Sequence, residues 1–176
     1  AEQDLFYYLK NKGLKIQAGH CIGSNLEFCN GTTHTFNAMS GITHRGASTV
    51  LSALVNDEIY TEIIADGVHV YDDALLFKVK PMNKVLLVSD CLPCTGSDIK
   101  EFIFAGEIIH YDGISATSNG GTIAGSTKLL PDIIKLLGKK GLFVKQYIAN
   151  PYDYHGIDSD GEIEWDEDFN IIKITY

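Results

Sequence analysis

The chain has 176 residues, 45% hydrophobic and 21% charged, which is enough for one domain with a real core and excludes disorder and fibrous classes. A formal net charge of −9 argues against a nucleic-acid partner, because phosphate backbones demand clustered Lys and Arg. No apolar run reaches the roughly 20 residues of a membrane span, and "AEQDLFYYLKNKG" lacks a signal-peptide layout, so a cytoplasmic protein is expected.

That first segment reads as a short amphipathic helix ended by Gly13. "LKIQAGH" is strand-like and ends in His20. "GTTHTFNA" is a short β-branched run ending in polar residues. "ASTVLSALVNDE" is helix-like, with Leu51, Leu54 and Val55 at helical spacing. "YTEIIADGVHV" reads as a strand with His69 near its end, and "DDALLFKVKP" as a helix until Pro81. "NKVLLVSDC" is an apolar run, too short for an ordinary helix, that ends in Asp90. Apolar strands alternating with helices indicate a parallel sheet covered on both faces.

After Asp90 the texture changes. "EFIFAGEIIHYDGISATS" has short β runs broken by glycine, with "YDG" as a turn signal. "NGGTIAGST" reads as a glycine-rich loop opening the helix "KLLPDIIKLLGKKG". Its backbone N–H groups suit an anion or a sugar hydroxyl, but the Walker A spacing is absent. "NPYDYHG" leads to a closing strand, "FNIIKITY". The acidic run "DSDGEIEWDED" reads as solvated surface. Cys21, Cys29, Cys91 and Cys94 read as reduced thiols. "CLPC" neither opens a helix, as a redox motif would, nor has the second pair of a structural zinc site.

His20, His34, His69 and Asp90 all fall at or just beyond the ends of expected parallel strands. In a (β/α) barrel those ends meet at one rim, where active sites form. Singly, each has a bland reading: a hydrogen-bonded structural histidine, or an aspartate capping a turn. Together they favour a site.

"AGH", "THTFNAM", "HR", "IIADGVHV", "LLVSDC" and "GGTIAGST" occur in this order. Together they resemble N-acetylglucosamine-6-phosphate deacetylases of the amidohydrolase superfamily, from about Lys15 to the C-terminal residues. The resemblance implies a partial TIM-type (β/α) barrel over residues 1–150. It also implies a C-terminal strand segment, 151–176, of an accessory β element. His20 and His34 would be ligands of one divalent metal: zinc, with iron, manganese, cobalt and nickel as alternatives. Asp90 would be the general base and acid. Asn37 and Ala38 would contact the sugar, Arg45 and His69 would bind its phosphate, and the backbone of Ile123, Ala124 and Gly125 would close over it. The implied reaction is hydrolysis of the acetamide of N-acetylglucosamine 6-phosphate to glucosamine 6-phosphate and acetate, in a homodimer. Neutral imidazoles suit zinc, a carboxylate suits proton transfer, and an Arg fork suits phosphate.

The chain also departs from the family. A TIM barrel alone takes about 250 residues. No segment matches the "H-x-E-G-P"-like strand that supplies the family's glutamate ligand. "HRGAST" replaces the expected "E-P-G" after Arg45, and the span from Cys21 to Thr33 is too short for a helix and a strand. The protein is therefore either truncated and degenerate or a longer one with internal segments missing here. Cys21 is a weak substitute ligand, because strand alternation aims it away from His20. Two further functions stand beside the first: a non-catalytic remnant that binds a sugar phosphate, or an amidohydrolase acting on a cyclic amide or purine.

Overall fold

The computed structural model describes residues 2–23, 25–75, 84–158 and 160–176. Two compact units interleave along the chain: Ala1–Ile63 with Phe77–Leu86 and Lys145–Ile157, and Ile64–Leu76 with Leu87–Val144 and Asp158–Tyr176.

The first unit begins with helix α1 (Glu2–Asn11), whose Phe6 ring stacks on Phe28 at 5.3 Å. Strands β1 (Gln17–Ala18), β2 (Gly31–Thr32) and β3 (Tyr60–Ile63) pair in parallel, with Ala18 opposite Thr32 and Thr32 opposite Thr61. The sheet order continues to β4 (Val85–Leu87). These strands form a four-stranded sheet, parallel from β1 to β3, so the α/β expectation holds; among the described residues no closed barrel is formed. Gly31 is needed where it stands. A Cβ there would overlap the Gln17 Oε1 and come within 2.8 Å of the Tyr60 carbonyl.

Polar groups lock the sheet's register. Gln17 Nε2 donates to Glu62 Oε1 and to the Tyr154 hydroxyl, each at 3.1 Å, while Thr33 Oγ1 donates to Glu62 Oε2 at 2.6 Å. Helix α2 (Thr49–Val55) is capped by Ser48, whose side chain accepts from the Leu51 amide. It buries Thr49, Val50, Ala53 and Leu54, while Val55 points outward, so its core stripe lies one position off the expected Leu51–Leu54–Val55 face. Leu26, Ala53 and Ile59 form the core beneath. Helix α5 (Gln146–His155) ends at Gly156 in the left-handed conformation. Its buried Asn150 donates to the Val85 carbonyl at 2.6 Å.

The second unit contains helix α3 (Asp72–Leu75), which is only the start of the expected helix 72–81; the rest of that segment lies outside the described residues. Strands β5 (Glu101–Phe104), β6 (Glu107–Tyr111), β7 (Ala116–Ser118) and β8 (Ile123–Gly125) form an antiparallel meander. Its first turn has Ala105 and Gly106 both at positive φ, as a two-residue hairpin of matching twist requires. Leu92, Cys94, Ile109 and Ala116 make its core.

The segment expected to be a glycine-rich loop is instead the hairpin β7–β8. Gly120 and Gly121 make the turn, with the Gly121 amide donating to the Ser118 carbonyl at 2.9 Å, and Ile123–Gly125 runs extended beside β7. Helix α4 (Leu130–Lys139) follows as expected, with Pro131 in its first turn and Ile133, Ile134 and Leu137 buried. Strands β9 (Glu162–Trp165) and β10 (Ile171–Thr175) close the chain as an antiparallel pair. No described helix is long and apolar enough to cross a membrane.

Candidate functional site

In the first unit, His20 and His34 each lie two residues beyond the end of a strand, and Ala18 pairs with Thr32. Equal overhang on neighbouring parallel strands carries both imidazoles to the same level. Their ring centroids stand 4.6 Å apart with planes inclined by 33°. His20 is exposed and His34 half-buried. His34 Nδ1 is buried without a hydrogen-bond partner among the described residues, an arrangement that costs free energy unless something else occupies the nitrogen.

Both backbones are left-handed, with φ of 45° at His20 and 34° at His34. For residues with a Cβ this conformation costs roughly 1–3 kcal/mol and persists only where the surroundings impose it. Those surroundings are visible. The Thr33 amide donates to Ala18 O at 2.9 Å, and the Thr35 amide to Glu62 O at 2.7 Å. The Thr32 and Thr35 hydroxyls pair at 2.7 Å in full burial. Asn37 donates to the His34 carbonyl from both its amide and its side chain, each at 3.0 Å. A Cβ on Gly19 would overlap the Thr33 methyl, so the approach of the two strand ends requires glycine there.

The other expected residues of this unit are placed differently. Phe36 and Ala38 continue the left-handed turn, with φ of 86° and 50°. The side-chain amide of Asn37 serves the turn that holds His34. Arg45 is exposed in a bend, its own amide donating to Thr43 Oγ1. Cys21 turns aside, its thiol 3.9 Å from Thr49 Oγ1 and its carbonyl accepting from that hydroxyl at 3.2 Å. Ser40 Oγ accepts from the amides of Gly23 and Thr49, tying the turn after β1 to the start of α2.

In the second unit, His69 lies six residues beyond β3 rather than within a strand. Its Nδ1 is 2.8 Å from Asp66 Oδ2, with the two side chains 6% and 2% exposed. Asp66 Oδ1 accepts from the amides of Val68 and His69, both at 2.9 Å. Burial disfavours the Asp66 anion, but the hydrogen bonds from the His69 ring and from the His69 and Val68 amides, with the His69 charge, outweigh it. The carboxyl is held well below the usual range. Asp66 is absent from the set expected from sequence. Its signal was the "ADG" turn, an aspartate bonding the backbone two residues on.

Asp90 is exposed, three residues beyond β4, with φ of 48°. Its carbonyl accepts from the Ser126 amide, and the Leu92 amide donates to Ser126 O, both at 2.9 Å. This fixes Asp90 against the residue that follows β8. Within β8, Gly125 is buried and Ala124 packs on the Leu92–Cys94–Ile109–Ala116 core, so its side chain is committed to packing. Among the described residues no group of three or more His, Cys, Asp or Glu side chains is gathered for a metal.

No protein-family model matches the chain. It is 30% identical over 132 residues to an N-acetylglucosamine-6-phosphate deacetylase of Bacillus subtilis, covering 70% of this chain and 33% of that one. It is 34% identical over 99 residues to an N-acetylgalactosamine-6-phosphate deacetylase of Shewanella, covering 54% and 25%. The chain is homologous to part of these deacetylases. The deacetylase structure from Thermotoga maritima superposes with a TM-score of 0.86 at 22% identity, over 98% of this chain and 54% of that one. The Pasteurella multocida deacetylase gives 0.82 at 25% identity, over 97% and 52%. The chain thus spans about a third of the length of the B. subtilis deacetylase and about half of these solved deacetylases.

Proposed function

We propose that this chain carries part of the active site of a deacetylase acting on an N-acetylated amino-sugar phosphate, built on part of a (β/α) barrel. The observation that carries this reading is the His20–His34 pair. Two imidazoles sit at matching strand ends, on costly backbone, with a buried ring nitrogen that no described residue satisfies.

Two neighbouring imidazoles fit a zinc-like ion by chemistry and by the orphaned Nδ1 of His34. They supply two of the three protein ligands usual in a catalytic zinc site. A divalent ion held there would supply Lewis acidity toward the acetamide carbonyl. Asp90 takes a proton from the attacking water on its carboxylate and passes it to the departing amine nitrogen. The roles we assign to the other residues are phosphate contact for Arg45 and His69, sugar contact for Asn37 and Ala38, and backbone contact with the sugar for Ile123, Ala124 and Gly125.

The test is release of acetate from N-acetylglucosamine 6-phosphate by the zinc-supplemented chain, compared with His34→Ala. Turnover that the substitution abolishes supports the reading; turnover that survives it overturns the assignment of His34. The galactosamine isomer belongs in the same assay, since relatives of both names match. The two-ligand set also favours a second reading, a non-catalytic sugar-phosphate binder. Binding of glucosamine 6-phosphate without turnover would select it.

A further inference from the structure

We infer that Asp66 is a positioning residue that holds the Nδ1 proton of His69, so that the ring can carry a second proton on Nε2 and donate it to the phosphate of the ligand. The inference rests on the reading of His69 as a phosphate contact. Its own observations are geometric. Asp66 Oδ1 is occupied by two backbone amides, from Val68 and His69, and Oδ2 faces His69 Nδ1 at 2.8 Å. The carboxylate is acceptor-only, so the ring nitrogen opposite it must be the donor. Both side chains are almost fully buried, which removes water as a competing partner. The turn closed by the two amides also fixes the plane of the carboxylate, and hence that of the ring. His69 Nδ1 is engaged by Asp66, and no hydrogen bond to Nε2 is seen among the described residues, so Nε2–H is left to donate to a ligand. A buried aspartate orienting an imidazole in one tautomer is a recurrent device in catalytic sites.

Asp66→Asn separates this role from simple support. The amide oxygen remains on the two backbone amides, because the reverse orientation would set NH2 against two N–H donors. The NH2 then faces His69 Nδ1, which becomes the acceptor, so the ring keeps a single proton on Nε2 and meets the phosphate uncharged, without the charge assistance of the wild-type contact. Long-range nitrogen–proton spectra of the histidine-labelled chain read this directly. The wild type is expected to show His69 protonated on Nδ1, and Asp66→Asn to show Nδ1 bare with unchanged far-UV circular dichroism. Calorimetric titration with glucosamine 6-phosphate and with inorganic phosphate should show a loss of about tenfold or more in the variant. A wild-type His69 with bare Nδ1 overturns the inference without any variant. So does an Asp66→Asn chain with unchanged tautomer or unchanged phosphate affinity. Failure of the wild type to bind either phosphate ligand overturns the substrate reading, while the spectra still decide what Asp66 does to the ring.

Discussion

Gly125→Ala probes how the hairpin β7–β8 holds Asp90, the residue proposed as proton carrier. A Cβ at this position would lie 2.8 Å from Leu92 Cγ, 3.1 Å from Leu92 Cδ2 and 3.1 Å from the Asp90 carbonyl. Neither neighbour can give easily. Leu92 is 5% exposed and packed with Cys94, Ile109 and Ala116, and the Asp90 carbonyl is tied to the Ser126 amide. Overpacking of this kind costs about 1–3 kcal/mol. For a chain of this size each kcal/mol lowers the melting temperature by about 2–4 °C, so a drop of roughly 2–12 °C is expected. Gly120→Ala is the control: its nearest neighbour would be Ser118 Oγ at 3.8 Å, an ordinary contact. Calorimetric or circular-dichroism melting of both variants gives the answer. A Gly125→Ala chain that melts with Gly120→Ala and the wild type would refute the packing argument, and with it the coupling of β8 to Asp90.

Asp90→Asn should lower turnover by about 10²–10⁴ while leaving sugar-phosphate binding near normal, and single-turnover kinetics beside calorimetry measure both. Arg45→Ala should raise KM for the phosphorylated sugar about tenfold to a hundredfold, the worth of a charge-assisted contact, with little change for N-acetylglucosamine. Equal losses for both sugars would remove Arg45 from the phosphate. Tyr154 is pushed up to about 12 by burial first, then by Glu62, Tyr60 and Cys29. A phenol raised in the fold stabilises it fully below the unfolded value of about 10 and loses that contribution as pH rises toward 12. Urea unfolding between about pH 9 and pH 12 should therefore fall more steeply for the wild type than for Tyr154→Phe.

Elements with a clear period were readable beforehand. Helix α4 follows from its proline at the start and the spacing of Ile133, Ile134 and Leu137. The alternation of strands and helices gave the parallel sheet, and "THTFNAM" with "ADGVHV" pointed to the deacetylases. Three things were hidden. "TIAG" has no alternating apolar pattern, so its strand character comes from pairing with β7 and from the glycine turn before it. The left-handed backbones of His20, His34 and Asp90 lie among hydrogen bonds that join separate segments, Thr33 to Ala18, Thr35 to Glu62 and Ser126 to Asp90, and no local propensity announces them in residues bearing a Cβ. A strand read across "YTEIIADGVHV" leaves Asp66 without a partner; the strand stops at Ile63, and the turn that follows brings Asp66 onto His69.

Zinc titration of the chain labelled with ¹⁵N in its six histidines tests the paired-imidazole site most directly. The ring signals of His20 and His34 should move together with one equivalent of zinc, through fast exchange befitting two protein ligands, while His44, His69, His110 and His155 stay in place. Zinc that shifts the other four instead, or that moves His20 and His34 at different stoichiometries, would show that the two rings do not share a metal.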